Sequence, residues 1–404
     1  MGLLALIAVL TGVALIAAVR WEHSSDMILP KPTGPFPVGR STFSWTNEAL
    51  TDPRAWTTGS KREVFVWLWY PASPAAGVAS APYLPQPLLK AQADATGTLM
   101  REYLNHDFAR VRTNSVLDAP VSTARASYPV VIMRPGSGAL TSELTTLAED
   151  LASYGYVVAG FDAPYRTGVF VFPDGNVVTR ATANNPETMN YEAGKQLANR
   201  LLPIWTSDAA FVVDQLGRLN TTVGNSSKSR FSGKLDLSRL GVFGHSFGGA
   251  QALQFCHDDA RCKAAMDIDG MPFGSVIREG ESQPSLLLFS DHSREASSEE
   301  GRQIRNDIVS LYDHLRGPRH VVMIRGANHF TFTDQMVTKD RLFILAFTFF
   351  MRSPGALRGL EITRAYVHTF FDAYLKDGAV GALTKLAATY DEIQPFDAMP
   401  VESH

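Results

Sequence analysis

An α/β architecture, with a mostly parallel central sheet and helices on both faces, is what this sequence predicts. Three observations carry the prediction. Short apolar runs rich in β-branched and aromatic residues recur at 62–70, 128–133, 156–161, 264–268, 285–289 and 319–324. Segments with helical spacing lie between them, and that alternation is the signature of parallel strands joined by crossover helices. The third observation is Gly244-His245-Ser246-Phe247-Gly248, set between an apolar strand at 240–243 and an apolar-periodic segment opened by Gly249-Ala250. That is Gly-x-Ser-x-Gly in a strand–turn–helix context.

Length and composition narrow the class. The chain has 404 residues and a net charge of −3. One α/β domain with excursions fits that length. The charge gives no global field toward nucleic acid, and none is expected as a partner. There is no basic run, Walker loop, Rossmann fingerprint or internal repeat. The two cysteines, Cys256 and Cys262, are six apart. They read as a local disulfide in an oxidising compartment, or as two buried thiols otherwise. Two ligands make a poor metal site, so neither a metal nor any other cofactor is expected.

In chain order, residues 2–19 are almost wholly apolar, broken by Thr11 and Gly12. The segment 1–21 reads as a signal peptide or an N-terminal membrane anchor, hence export. No Lys or Arg precedes it and no small-x-small cleavage pattern follows, which weakens the cleaved form. Residues 22–61, with Pro30, Pro32, Pro35 and Pro37, read as an irregular arm. The catalytic domain is expected over 62–375. It starts with the strand at 62–70 and has excursions at 72–127, holding a helix near 88–108, and at 166–200, a lid over the site. Helices are expected at 141–154, with Gly155 as its C-cap, and at 201–219, 299–315, 341–351 and 362–375. Residues 376–404 read as a tail. Asn220-Thr221-Thr222 and Asn225-Ser226-Ser227 are glycosylation sequons, meaningful only in a eukaryotic host.

The elbow calls for a catalytic constellation. Ser246 on a sharp turn presents its hydroxyl, and Gly244 and Gly248 let strand and helix approach. A nucleophilic serine needs a base. His245 is its sequence neighbour and points away; His257 and His292 do not follow a final strand. His329, in Gly326-Ala-Asn-His-Phe330 after the last strand, is placed to reach Ser246. The acid that orients His329 is Asp269 or Asp291, both at strand ends, and order alone fits either; Asp267, inside its strand, is the weaker choice. The oxyanion needs two amides. Phe247, after the nucleophile, supplies one. Ser137, in the flexible Gly136-Ser137-Gly138 loop, supplies the other.

These motifs carry a family resemblance. Leu240-Gly-Val-Phe-Gly-His-Ser-Phe-Gly-Gly249, the Ile268-Asp269-Gly270 strand end and Gly326-Ala-Asn-His-Phe-Thr-Phe332 resemble the secreted platelet-activating-factor acetylhydrolase family, grouped with related bacterial and fungal esterases. The strand ending Tyr70-Pro71 and Gly155-Tyr156-Val157-Val158 are also similar. The resemblance spans roughly 62–375 and implies the α/β-hydrolase fold. It also implies metal-free hydrolysis of short or oxidised acyl chains from phospholipids, and an acid at Asp269 rather than Asp291. It makes the partner a small-molecule or lipid ester, with lipid-surface association. The family's oxyanion loop usually reads His-Gly-x-Gly; here it is Pro135-Gly136-Ser137-Gly138, with Arg134 before it. The rival readings are an esterase of polyesters or small esters, and a hydrolase-fold binding protein without activity.

Overall fold

The computed structural model describes residues 2–186, 189–222, 230–291, 298–339 and 355–395. The strands of its main sheet are β1 (Val38–Thr51), β2 (Lys61–Pro71), β3 (Val116–Leu117), β4 (Tyr128–Arg134), β5 (Val157–Asp162), β6 (Leu235–His245), β7 (Cys262–Ile268), β8 (Ser285–Phe289), β9 (Arg319–Ile324) and β10 (Ile393–Pro395). Across the sheet the order is β10-β9-β8-β7-β6-β4-β5-β2-β1-β3. Every neighbouring pair from β9 to β5 is parallel; β10, β2 and β1 attach antiparallel.

The helices used below are α1 (Gly2–His23), α2 (Gln86–Ala95), α3 (Thr145–Ser153), α4 (Tyr191–Asn220), α5 (Phe247–Asp258), α6 (Glu299–His314) and α7 (Ala356–Leu375). They cover both faces, so central strands are buried on both sides and read as continuous apolar runs. Alternate residues of one strand feed opposite cores. Val131 and Met133 of β4 pack in the layer that holds α3 and α7. Val130 and Ile132 pack in the layer that holds α4, α5 and α6. This geometry brings the carboxyl ends of β4, β6, β7, β8 and β9 to one edge, where the loops carrying Ser137, Ser246, Asp269, Asp291 and His329 begin.

Several elements differ from expectation. Residues 38–51, read as part of an irregular arm, form β1, paired with β2 from Val38↔Pro71 to Thr51↔Lys61. Its signal is a weak period of two: Phe43 and Trp45 are half-buried and stacked at 5.5 Å, between exposed Thr42, Ser44 and Thr46. The helix expected at 88–108 ends at Ala95, before Thr96-Gly97, and a separate single turn follows at Met100–Leu104. Gly97 breaks the apolar spacing there.

The helix expected at 201–219 begins ten residues earlier, capped by Asn190, whose Oδ1 accepts the Ala193 amide at 3.0 Å. Pro203 therefore sits inside α4 rather than near its start. The 166–200 excursion thus holds a small hairpin, Val169–Val171 with Val177–Thr179, and the first turns of α4. The expected tail supplies a short helix at Gly381–Ala387 and the edge strand β10. The expected helix at 341–351, the sequon at Asn225 and His292 lie outside the described residues.

Cys256 and Cys262 are joined as a disulfide, tying the end of α5 to the start of β7. Helix α1 has 22 residues, about 33 Å at 1.5 Å per residue, long and apolar enough to cross a bilayer. Its large apolar side chains from Leu3 to Ile16 are exposed. Its last turn packs on residues 100–105, with Arg20 over the Tyr103 ring and His23 Nδ1 2.6 Å from the Asn105 carbonyl.

Candidate active site

Strand β6 ends at His245, α5 begins at Phe247, and Ser246 between them has φ 58 and ψ −130. A positive φ is costly for a non-glycine residue, and it is sustained here by close packing. A Cβ on Gly244 would lie 2.1 Å from the Gly248 carbonyl oxygen, and one on Gly248 would lie 2.3 Å from the Arg134 carbonyl oxygen. The Ser246 amide donates to the Ile268 carbonyl at 2.8 Å. The elbow is thereby fixed to the ends of β4 and β7. The positive end of α5 starts at the serine.

Asp269 follows β7, also at positive φ (55). Its amide donates to the Leu288 carbonyl at 2.8 Å. Its carboxylate takes the Ser290 amide on Oδ1 at 2.7 Å and the Ser290 hydroxyl on Oδ2 at 2.9 Å. Nδ1 of His329 lies 2.8 Å from the same Oδ2. The aspartate side chain is wholly buried, whereas 41% of the His329 side chain is exposed. With Nδ1 held by a carboxylate, Nε2 is the nitrogen left to exchange a proton. The loop that carries His329 is itself capped: Asn328 Oδ1 accepts the Phe330 amide at 3.0 Å.

The other sequence candidates take different places. Asp291 Oδ2 accepts the Gly326 amide at 2.8 Å, and the Asp291 amide donates to the Ala327 carbonyl at 3.0 Å. Asp291 therefore fastens the loop carrying His329, and Asp269 meets the ring. Asp267 is buried beneath the elbow, where Oδ1 accepts the Gly270 amide at 2.8 Å. Burial pushes its pKa well above the usual carboxylate range. His257 lies at the end of α5, with Nδ1 2.8 Å from the Gly280 carbonyl. His245, set aside in the sequence as a poor base, lies against His329 with ring centroids 4.5 Å apart and ring planes tilted by 39°. Its Nε2–H donates to the His329 carbonyl at 2.7 Å. Burial, and then the neighbouring His329, lower its pKa to about 3, so it stays neutral.

The loop after β4 meets the elbow at Gly136, where a Cβ would lie 3.0 Å from that of Ser246. The amides of Ser137 and Phe247 make no hydrogen bond to another described residue. The Ser137 hydroxyl accepts from Arg180 Nη1 at 3.1 Å. Arg134, where the loop leaves β4, is buried, with Nε on Gln251 of α5 at 2.9 Å and Nη1 on the Phe161 carbonyl. Its guanidinium lies 3.5 Å from the centre of the Phe161 ring. Desolvation lowers its pKa to about 9. Arg134 thus braces the loop against α5 and β5. Ser137, Ser246, Phe247, Asp269, His329 and Arg180 all border one cleft of about 1180 Å³. Sequence reasoning missed Ser290, Arg134, Arg180 and the bracing role of His245; each acts through a partner distant in the chain.

The sequence pattern of the family described as platelet-activating factor acetylhydrolase, isoform II, matches residues 21–169 and 215–364. The chain belongs to this family. Among platelet-activating factor acetylhydrolase relatives, a probable 1-alkyl-2-acetylglycerophosphocholine esterase from Arthroderma benhamiae is 23% identical, covering 95% of this chain and 98% of its own. The platelet-activating factor acetylhydrolase of Cavia porcellus is 24% identical over 76% of this chain and 69% of its own. In solved structures, a ferulic acid esterase from Streptomyces cinnamoneus superposes with a TM-score of 0.73 at 27% identity, covering 92% of this chain and 100% of that one. The fold is that of the α/β-hydrolases, and this member of the acetylhydrolase family is a carboxylic-ester hydrolase. Residues 170–214, with Arg180 and all of the hairpin but Val169, fall between the two matched segments.

Proposed function

We propose that Ser246, His329 and Asp269 form the catalytic triad of this hydrolase, and that its substrates are phospholipids with short sn-2 acyl groups. Ser246 attacks the ester carbonyl while His329 Nε2 takes its proton. The amides of Phe247 and Ser137 receive the developing oxyanion. His329 returns the proton to the leaving alcohol, and water, activated by the same imidazole, releases the acid from the acyl-enzyme. Asp269 fixes the ring tautomer and stabilises the imidazolium. The observation that carries this reading is the 2.8 Å contact between His329 Nδ1 and Asp269 Oδ2, at the cleft that also holds Ser246.

The substrate class rests on the acetylhydrolase relatives. A second reading, hydrolysis of polyesters or small aromatic esters, is favoured by the ferulic acid esterase superposition and by a bis(hydroxyethyl) terephthalate hydrolase of Streptomyces coelicolor, 28% identical over 43% of this chain. Rates on p-nitrophenyl esters from acetate to palmitate, beside an sn-2-acetyl phospholipid and an aromatic diester, separate the two. A preference for the acetyl phospholipid supports the first reading, and a preference for the aromatic diester supports the second. We infer further that α1 directs export, as a signal sequence or as an anchor that holds the cleft near a lipid surface.

A further inference from the structure

We propose that Arg180 is a specificity-determining residue, whose guanidinium receives an anionic oxyacid group, phosphate or carboxylate, carried by the alcohol portion of the ester. This rests on Ser246 being the nucleophile, as set out above.

Three observations support it. The first is position. Arg180 borders the cleft with Ser246 and His329. A Cβ on Gly138 would lie 2.4 Å from the Arg180 Cζ, while Gly136 abuts Ser246. One residue, Ser137, separates those glycines, so guanidinium and nucleophile stand against one short loop at points no more than about 7 Å of chain apart. In a glycerophospholipid, five bonds join the sn-2 carbonyl carbon to phosphorus, a comparable reach.

The second is charge. The Arg180 guanidinium donates to the neutral Ser137 hydroxyl, and among the described residues no carboxylate forms an ion pair with it. The other cations at the cleft are differently placed. Lys195 pairs with Asp307. Arg325 is exposed at the rim, beside Glu392, whose carboxylate pKa is lowered first by its hydrogen bonds to Arg358 and last by Arg325. A half-buried guanidinium with open donors suits a tetrahedral or planar oxyanion.

The third is preorganisation. The Arg180 amide donates to the Gly168 carbonyl at 3.1 Å, and the Gly168 amide donates to the Gly138 carbonyl at 2.7 Å. The hairpin bearing Arg180 is thus stitched to the same loop that offers the Ser137 amide. Its base is set by buried Arg166, bonded to Asp52 at 2.9 Å and to Asp208 at 2.8 Å. A cation held this way loses little freedom when it meets an anion.

The test uses three soluble acetyl esters of matched length: 2-acetoxyethyl phosphate, 4-acetoxybutanoate and the neutral 2-acetoxyethyl methyl ether. kcat/KM is measured for the full chain and for Arg180→Gln and Arg180→Lys, after thermal melts establish that each variant is folded. The wild type is expected to favour an anionic ester over the ether by about tenfold, as for a charge-assisted hydrogen bond. Arg180→Gln is expected to bring that ratio close to one, with Arg180→Lys in between. The anion that shows the larger ratio distinguishes phosphate from carboxylate. Equal losses on all three esters would make Arg180 only a support for the Ser137 loop and would overturn the proposal. So would a wild type that hydrolyses the ether without favouring either anion, although the esterase reading would then stand. Should the wild type hydrolyse none of the three and leave Ser246 unacylated, both would fall.

Discussion

Ser290 holds Asp269 through two hydrogen bonds, its amide to Oδ1 at 2.7 Å and its hydroxyl to Oδ2 at 2.9 Å. Oδ2 also faces His329 Nδ1. The ends of β7 and β8 and the loop after β9 are joined in this way by one carboxylate. A carboxylate held by several donors is kept aimed, which is what an imidazole partner requires.

Exchanging the carboxylate for an amide separates the two acid candidates. Asp269→Asn is expected to lower kcat on p-nitrophenyl acetate by about 10³-fold or more, because the amide leaves the His329 ring in the wrong tautomer. Asp291→Asn weakens the Gly326 contact and is expected to cost less than about tenfold in kcat. Ser290→Ala, which removes one hydrogen bond to the carboxylate, is expected to cost about tenfold or more. Steady-state kinetics on the three variants checks the order.

Glycine substitutions report on the elbow. Gly248→Ala drives a methyl group into the Arg134 carbonyl and is expected to cost about 2 kcal/mol or more of stability. Gly217→Ala in α4 meets only Leu237 Cδ1, at 3.7 Å, and is expected to stabilise by up to about 1 kcal/mol through helix propensity. Denaturant melts of the two proteins should move in opposite directions.

His245 makes stability depend on pH. Its folded pKa is lowered to about 3, against about 6.5 in an unfolded chain. The unfolded state therefore binds the proton first as pH falls. The stability that neutral His245 contributes is complete above about 6.5 and is lost progressively down to about 3. At pH 4.5 the loss from this group is about 2–3 kcal/mol relative to pH 8. His245→Gln should lose less stability over that range than the wild type. Urea melts at both pH values measure the difference of differences, and equal losses in the two proteins would refute it.

Much of this fold is legible in the sequence because central strands are buried on both faces. The runs at 285–289 and 319–324 coincide with β8 and β9 residue for residue. The elbow and the strand-end positions of Asp269 and His329 follow from the same pattern. β1 is hidden because beyond Ser41 only one of its faces is half-buried, so its period of two is diluted by Thr and Ser. The first ten residues of α4 mix polar side chains with Gly194 and few large apolar ones, and the Asn190 cap is what marks their helical start. β10 is three residues long and exists only by pairing with β9. Ser290, Arg134 and Arg180 carry no local signal, since each is defined by a partner brought close by the fold: Asp269, Gln251 and Ser137.

The disulfide closes a short loop between α5 and β7. Cys256→Ala with Cys262→Ala is expected to lower stability by about 2 kcal/mol, the chain-entropy value for so small a loop. Reducing the wild type with dithiothreitol under native conditions should give a similar shift in the melting midpoint. No shift in either experiment would mean that the pair is energetically silent.

The most direct test is the covalent state of Ser246. Intact-mass spectrometry after brief exposure to a fluorophosphonate, followed by peptide mapping, should show one adduct, located at Ser246. Its rate of formation should fall at least about 10²-fold in His329→Ala, and Ser246→Ala should neither be labelled nor hydrolyse p-nitrophenyl acetate above background. An adduct on another residue, or undiminished hydrolysis by Ser246→Ala, would contradict the assignment of Ser246 as nucleophile.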